Sequence, residues 1–140
     1  MTRGPFLVDT GFLVALVNRA DPAHQVCAEV WGRVAGPFIS TEGVLVESAW
    51  LLRKAPGALE AVVGLLRGVG AVVPPVTSAR VDRALALMKR YRDVPMDLVD
   101  ALLMALAEET NTKQVLSLDR RGFRTYRTVR GTALRMFPQA

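Results

Sequence analysis

Short apolar runs alternate with longer stretches of helical periodicity along the whole chain. Phe6-Leu7-Val8 is a β-friendly run that stops at Asp9, and Gly11 to Asn18 continues at helical spacing. Asp21-Pro22 is a strong helix start, because Asp caps and Pro suits the first turn. The pattern predicts a helix from there to about Val34, stopped by Gly36-Pro37. Phe38-Ile39-Ser40 reads as a second strand. Val44, Leu45, Ala49 and Leu52 predict a helix from Thr41 to about Lys54, broken at Pro56-Gly57. Ala58 to Val69 is a further helix, and Ala71-Val72-Val73 a third strand ended by Pro74-Pro75. Ser78 to Arg92 is amphipathic, with Val81, Leu85 and Met88 on one face. Pro95 separates it from a helix over Asp97 to about Thr110. Gln114 to Leu118 is a fourth strand, ended by Asp119, and a weaker strand is expected over Tyr126 to Val129.

Short strands alternating with helices predict an α/β fold, a parallel sheet covered by helices on both faces. No linker, repeat or low-complexity segment divides the chain, so residues 1–140 read as one domain. Open sheets of this kind bind ligands beyond the carboxyl ends of their strands. Asp9 and Asp119 fall at that edge. Glu47 and Asp100 lie within the first two turns of helices placed to lean over it.

Each of these acids has a plainer alternative. Asp9 fits a helix N-cap, although Thr10 beside it caps equally well and would free it. Glu47 sits among Val44, Leu45, Val46, Ala49, Trp50 and Leu51, with no Lys or Arg one turn away, and a carboxylate there needs a polar pocket or a distant partner. Asp97 and Asp100 resemble a capping box with Asp in place of the usual Glu or Gln. The same spacing puts both on one face, so Asp97 is read as cap or supporting residue and Asp100 as site. Asp119 fits a cap on the turn through Arg120 to Phe123. If the fold gathers Asp9, Glu47, Asp100 and Asp119, their crowded charge is costly unless divalent cations fill the pocket.

Composition narrows the chemistry. No apolar run approaches the roughly 18 residues of a membrane span, and no signal peptide is expected. Cys27 is the only cysteine, which excludes an internal disulfide and fits a reducing cytoplasm. Its expected place is inside a helix packing. His24 is the only histidine and is expected to be structural; no zinc-type spacing, Gly-rich phosphate loop or Gly-x-Ser-x-Gly elbow occurs. The net charge is +5 and the pI about 10.1. After Asp119 there is no acid, while Arg120, Arg121, Arg124, Arg127, Arg130 and Arg135 all lie there. Arginine forks suit phosphate, so this tail points to nucleic acid or an acidic protein partner. The basic group at 80–92 is diluted by Asp82 and Asp93 and reads as a solvated face.

Together these segments resemble the PIN-domain family. Leu7-Val8-Asp9-Thr10-Gly11-Phe12-Leu13 looks like its opening strand and first acid, and Asp21-Pro22-Ala23-His24 with Ala28 like its second-helix entry. Ser40-Thr41 with Val44 and Glu47 is similar to its second acidic site. Met96 through Ala105 resembles its most recognisable helix, with Asp100 as the acid, and Val115 through Phe123 its last motif. Many toxin members carry an acid just before that phenylalanine; here Gly122 stands there, and Asp119 is taken instead.

The resemblance implies a three-layer α/β/α sandwich with a short, mostly parallel central sheet. It also implies a metal-dependent ribonuclease: Asp9, Glu47, Asp100 and Asp119 would hold Mg²⁺ or Mn²⁺, with Thr10, Asp97 and Ser117 supporting them and Arg120, Arg121 and Arg124 on the RNA backbone. Many small members are toxins of type II toxin–antitoxin pairs, so a cognate antitoxin and a homodimer are implied as partners. A haloacid-dehalogenase-type phosphotransferase expects a second Asp where Gly11 stands. A receiver domain expects a lysine after a late strand, and Lys113 precedes one. A catalytically silent module that binds RNA or protein is the alternative from another class.

Overall fold

The computed structural model describes residues 1–139. Its elements, in chain order, are β1 (Thr2–Arg3), β2 (Phe6–Val8), α1 (Thr10–Val17), α2 (His24–Trp31), β3 (Val34–Ala35), β4 (Phe38–Ile39), α3 (Glu42–Leu51), α4 (Ala58–Gly68), α5 (Ser78–Arg90), α6 (Leu98–Thr110), β5 (Gln114–Leu116), α7 (Arg120–Thr125) and β6 (Arg135–Phe137). The four longer-range strands form one parallel sheet in the order β4-β2-β5-β6. Leu7 sits opposite Ile39 on one side and Val115 on the other. Thr2–Arg3 pairs separately with Val34–Ala35. Phe6, Leu7 and Val8 are all fully buried. Successive strand side chains face opposite ways, so helices cover both faces and the architecture is the three-layer α/β/α sandwich. Phe6 anchors the core, stacked on Phe38 at 6.0 Å and met edge-on by Phe137 at 5.4 Å.

The chain runs from β2 out to β4 and then returns to the other side of β2 for β5. The strand order therefore reverses between β2 and β5, and the crevice at their carboxyl ends is where such sheets place ligands. No helix among the described residues is long and apolar enough to cross a membrane.

Several expected elements differ. The helix after Asp21 begins only at His24, because the Asp21 carboxylate accepts from the Ala23 N–H at 2.9 Å and closes a local turn first. It ends at Trp31, and Val34–Ala35 leaves it to pair with the N-terminal residues. Ala71 to Val73 contributes a single bridge, Val72 to Ile39, since Pro74-Pro75 cannot extend a ladder. The expected strand over Gln114 to Leu118 stops at Leu116, and Tyr126 to Val129 is not a strand; Arg135–Phe137 takes the sheet edge instead. On α5 the buried positions are Ala84 and Leu87, whereas Leu85 is 54% exposed. Cys27 is buried inside the α2 packing, and the His24 ring bonds the Ala15 carbonyl at 2.8 Å, both structural placements.

Candidate active site

Adjacent strands β2 and β5 deliver the first two acids. Asp9 follows Val8, and its N–H donates to the Leu116 carbonyl at 2.9 Å, so the sheet ladder fixes its position. Its Oδ1 accepts from the Thr10 N–H at 2.8 Å and caps α1. Its Oδ2 accepts from the Ser117 hydroxyl at 2.7 Å. Ser117 Oγ accepts in turn from the Asp119 N–H at 3.0 Å, so one serine ties the ends of both strands together. Asp119 caps α7 through the Gly122 N–H at 3.1 Å. Thr10 does not cap in place of Asp9, because it is already the first helical residue; its hydroxyl is buried and bonded to nothing.

Two helices supply the rest. Asp100 lies in the first turn of α6 and is 7% exposed. Asp97 Oδ1 accepts from the Asp100 N–H at 2.8 Å, and Asp100 Oδ2 accepts from the Asp97 N–H at 3.4 Å: the capping box formed with two aspartates. Asp97 itself is exposed. Glu47 is half-buried on the second turn of α3, a helix that packs on both α1 and α6.

These carboxylates feel one another. Burial pushes Asp9 up to about 6, with the charges of Glu47 and Asp119 adding to the rise and the bonds from Ser117 and Thr10 opposing it. Burial pushes Asp100 up to about 8, reinforced by Asp97, Asp9 and Asp119 and opposed by the Asp97 N–H. No Lys or Arg is ion-paired with any of these acids among the described residues; the ion pairs there are Arg80–Glu109 and Arg83–Glu108.

The donor set is made of carboxylate and hydroxyl oxygens, the hard ligands that Mg²⁺ and Mn²⁺ take. The buried, unpartnered Thr10 hydroxyl lies beside the first of them. Among the described residues no three His, Cys, Asp or Glu side chains are arranged to hold an ion by themselves. The chemistry of the donors suits an ion in the manner of Mg²⁺, which would rest on one or two carboxylates and complete its shell with water and phosphate.

Two contacts at the site escaped sequence reasoning. Tyr126, fully buried, donates toward Asp100 Oδ2 at 3.3 Å and toward the Pro95 carbonyl at 3.2 Å. Its own burial, with the Asp100 and Asp119 charges, holds the phenol above its usual range, so it stays a donor. Gly122 packs against both Asp119 and Tyr126. No sequence spacing signalled the pairing; an isolated tyrosine in a weakly apolar run was the only hint. Of the basic tail, Arg121 and Arg124 are exposed, and Arg120 and Arg124 line a cavity of about 220 Å³ together with Arg135.

Fold and site together define a parallel α/β domain with an acidic centre at its switch point. The chain belongs to the PIN-domain family, whose model matches residues 6–128. It is 27% identical over 134 residues to the ribonuclease VapC26 of Mycobacterium tuberculosis, covering 94% of this chain and 99% of that protein. Among solved structures it resembles M. tuberculosis VapC20, described as a sarcin-ricin loop cleaving toxin, with a TM-score of 0.77 at 22% identity over 86% of this chain and 95% of that one. A toxin–antitoxin complex from Klebsiella pneumoniae matches with a TM-score of 0.67 at 15% identity, covering 91% and 95%.

Proposed function

We propose that this protein is a metal-dependent endoribonuclease and the toxin of a type II toxin–antitoxin pair. The observation that carries the reading is the unneutralised acidic centre: buried Asp9 feels the charges of Glu47 and Asp119, buried Asp100 those of Asp97, Asp9 and Asp119, and no basic side chain among the described residues is paired to them. The VapC26 likeness over nearly the full length supports an RNA substrate. Asp9, Glu47, Asp100 and Asp119 would hold Mg²⁺ or Mn²⁺. Such an ion, when bound, lowers the pKa of a water and offsets charge on a phosphodiester.

The chain's own residues do the rest. Ser117 orients the Asp9 carboxylate and links it to Asp119. Asp97 fixes the start of α6, so that Asp100 stands at a defined point on its first turn. Arg120, Arg121 and Arg124 hold RNA phosphates. In this reading the protein works in the cytoplasm as a homodimer restrained by a cognate antitoxin; the Klebsiella pneumoniae structure that it resembles is a toxin–antitoxin complex, which supports the antitoxin.

A second reading, a catalytically silent PIN module that binds RNA or protein, is favoured by the lack of any ready three-ligand metal group among the described residues. Incubating the purified protein with defined tRNA and rRNA fragments, with Mn²⁺ or with EDTA, separates the two. Discrete cleavage only with Mn²⁺ supports the nuclease; RNA retention without cleavage under every metal condition supports the silent module.

A further inference from the structure

Only one side-chain hydroxyl reaches Asp100 among the described residues, and it belongs to Tyr126. The Tyr126 ring is held edge-on by Tyr91 at 5.3 Å and by Phe123 at 5.5 Å, so its direction is set by packing. The following residue is tied down as well, because the Arg127 N–H donates to the Tyr91 hydroxyl at 2.9 Å. The Tyr126 proton has two acceptors at nearly equal range, the Pro95 carbonyl and Asp100 Oδ2. A carboxylate ionised to hold a metal is the stronger acceptor, so in that state the bond goes to Asp100. The remaining hydrogen bond to the Asp100 carboxylate, from the Asp97 N–H at 3.4 Å, is long.

Gly122 makes this approach possible. A Cβ there would stand 2.6 Å from Asp119 Oδ2, 2.8 Å from the Tyr126 hydroxyl and 2.9 Å from Tyr126 Cε2. Gly122 is not among the positive-φ glycines, so space and not backbone freedom requires it. Glycine inside a helix costs about 1 kcal/mol relative to alanine. The space next to Asp119 and the tyrosine is what offsets that cost.

We propose that Tyr126 is a positioning residue for Asp100 in metal binding, and that Gly122 is the gap through which its hydroxyl reaches the acidic centre. The inference rests on the metal-dependent reading above. In it, the hydroxyl bonds the carboxylate, as partners of metal ligands do, where their loss typically weakens metal affinity by about 10–100-fold.

The test is calorimetric titration of Mn²⁺ into the full chain and into Tyr126→Phe and Gly122→Ala, with thermal melts in EDTA. Tyr126→Phe keeps the ring and its packing. It should weaken Mn²⁺ binding by about tenfold or more while its metal-free melting temperature stays within a few degrees, with kcat on RNA falling and KM nearly unchanged. Gly122→Ala keeps the hydroxyl but closes its path, and should weaken Mn²⁺ binding in the same direction. Unchanged Mn²⁺ affinity in Tyr126→Phe overturns the positioning role and leaves the nuclease reading intact. A wild-type chain that takes up no Mn²⁺ overturns both. Should Tyr126→Phe lose its cooperative melt, the Gly122→Ala titration decides: wild-type affinity there ends the proposal.

Discussion

The two ends of α6 treat their carboxylates in opposite ways. At the C-terminal end, Glu108 receives two bonds of 2.9 Å from Arg83, and Glu109 receives bonds of 2.9 and 3.2 Å from Arg80. At the N-terminal end, Asp97 and Asp100 have backbone N–H groups and one tyrosine hydroxyl, but no cation. The helix dipole accounts for part of the contrast. Negative charge is unfavourable at a helix C-terminus, so arginines answer it there; at the N-terminus the dipole itself helps. It does not account for all of it, because Asp100 is still pushed far above the ordinary carboxylate range by burial and by neighbouring acids. The paired end is a structural clamp between α5 and α6. The unpaired end is electrostatically incomplete, as the proposed metal site requires.

The sharpest way to break this comparison is to neutralise one acid at each end. Asp9→Asn and Asp100→Asn are expected to lower Mn²⁺-dependent RNA cleavage by roughly 100-fold or more, at or beyond the upper end of what losing a supporting partner alone costs. Glu108→Gln, on the same helix as Asp100, is expected to leave cleavage within about twofold. Gel-resolved cleavage rates at saturating Mn²⁺ read this directly. Equal losses at the two ends would mean that the unpaired end has no special role.

Acidity provides the next test, on stability instead of activity. Burial and neighbouring acids push Asp9 up to about 6 and Asp100 up to about 8 in the folded chain, above the ordinary aspartate range. The native state therefore binds protons that the unfolded state has already released. Stability from these groups is fully present below about pH 4 and is lost as pH rises, through about 6 for Asp9 and about 8 for Asp100. In EDTA, melts between pH 5 and 8 should show falling stability, on the order of 3 kcal/mol across the window. Asp100→Asn should flatten the slope and raise the melting temperature at pH 8. Mn²⁺ should do the same for the wild type by mass action. A wild-type melting temperature that does not change between pH 5 and 8 in EDTA would contradict the assignment.

What could be read in advance follows from which interactions are local. Phe6-Leu7-Val8 ending at Asp9 shows a strand delivering an acid within four residues, and Met96 through Ala105 shows a helix with its cap. The β6 strand was not legible, because Arg135-Met136-Phe137 passes from exposed through half-buried to buried without alternation over only three residues and is defined by its partner β5, some twenty residues earlier. The same limit hid Tyr126: its contact with Asp100 spans 26 residues, and nothing in the intervening pattern signals it. The competition between Asp9 and Thr10 for the α1 cap was visible, but its outcome depends on the sheet bond that fixes Asp9 against Leu116.

The smallest expected effect lies at the clamped end. Arg83→Met keeps the aliphatic stem on α5 and removes the guanidinium that holds Glu108. The Arg83 side chain is 39% exposed and that of Glu108 10%, so solvent screens the pair and its loss should cost about 1 kcal/mol or less. Glu108 then sits near the α6 C-terminus without its counter-charge, and the dipole turns against it. The double variant Arg83→Met with Glu108→Gln should therefore recover most of the loss, since both charges leave together. Urea denaturation of the four proteins in the cycle measures the coupling. Mn²⁺ affinity should be the same in all four, because this end of the helix lies more than two turns from Asp100. A shift in Mn²⁺ binding anywhere in the cycle would show that the two ends are coupled through the helix, and the division between clamp and site would have to be abandoned.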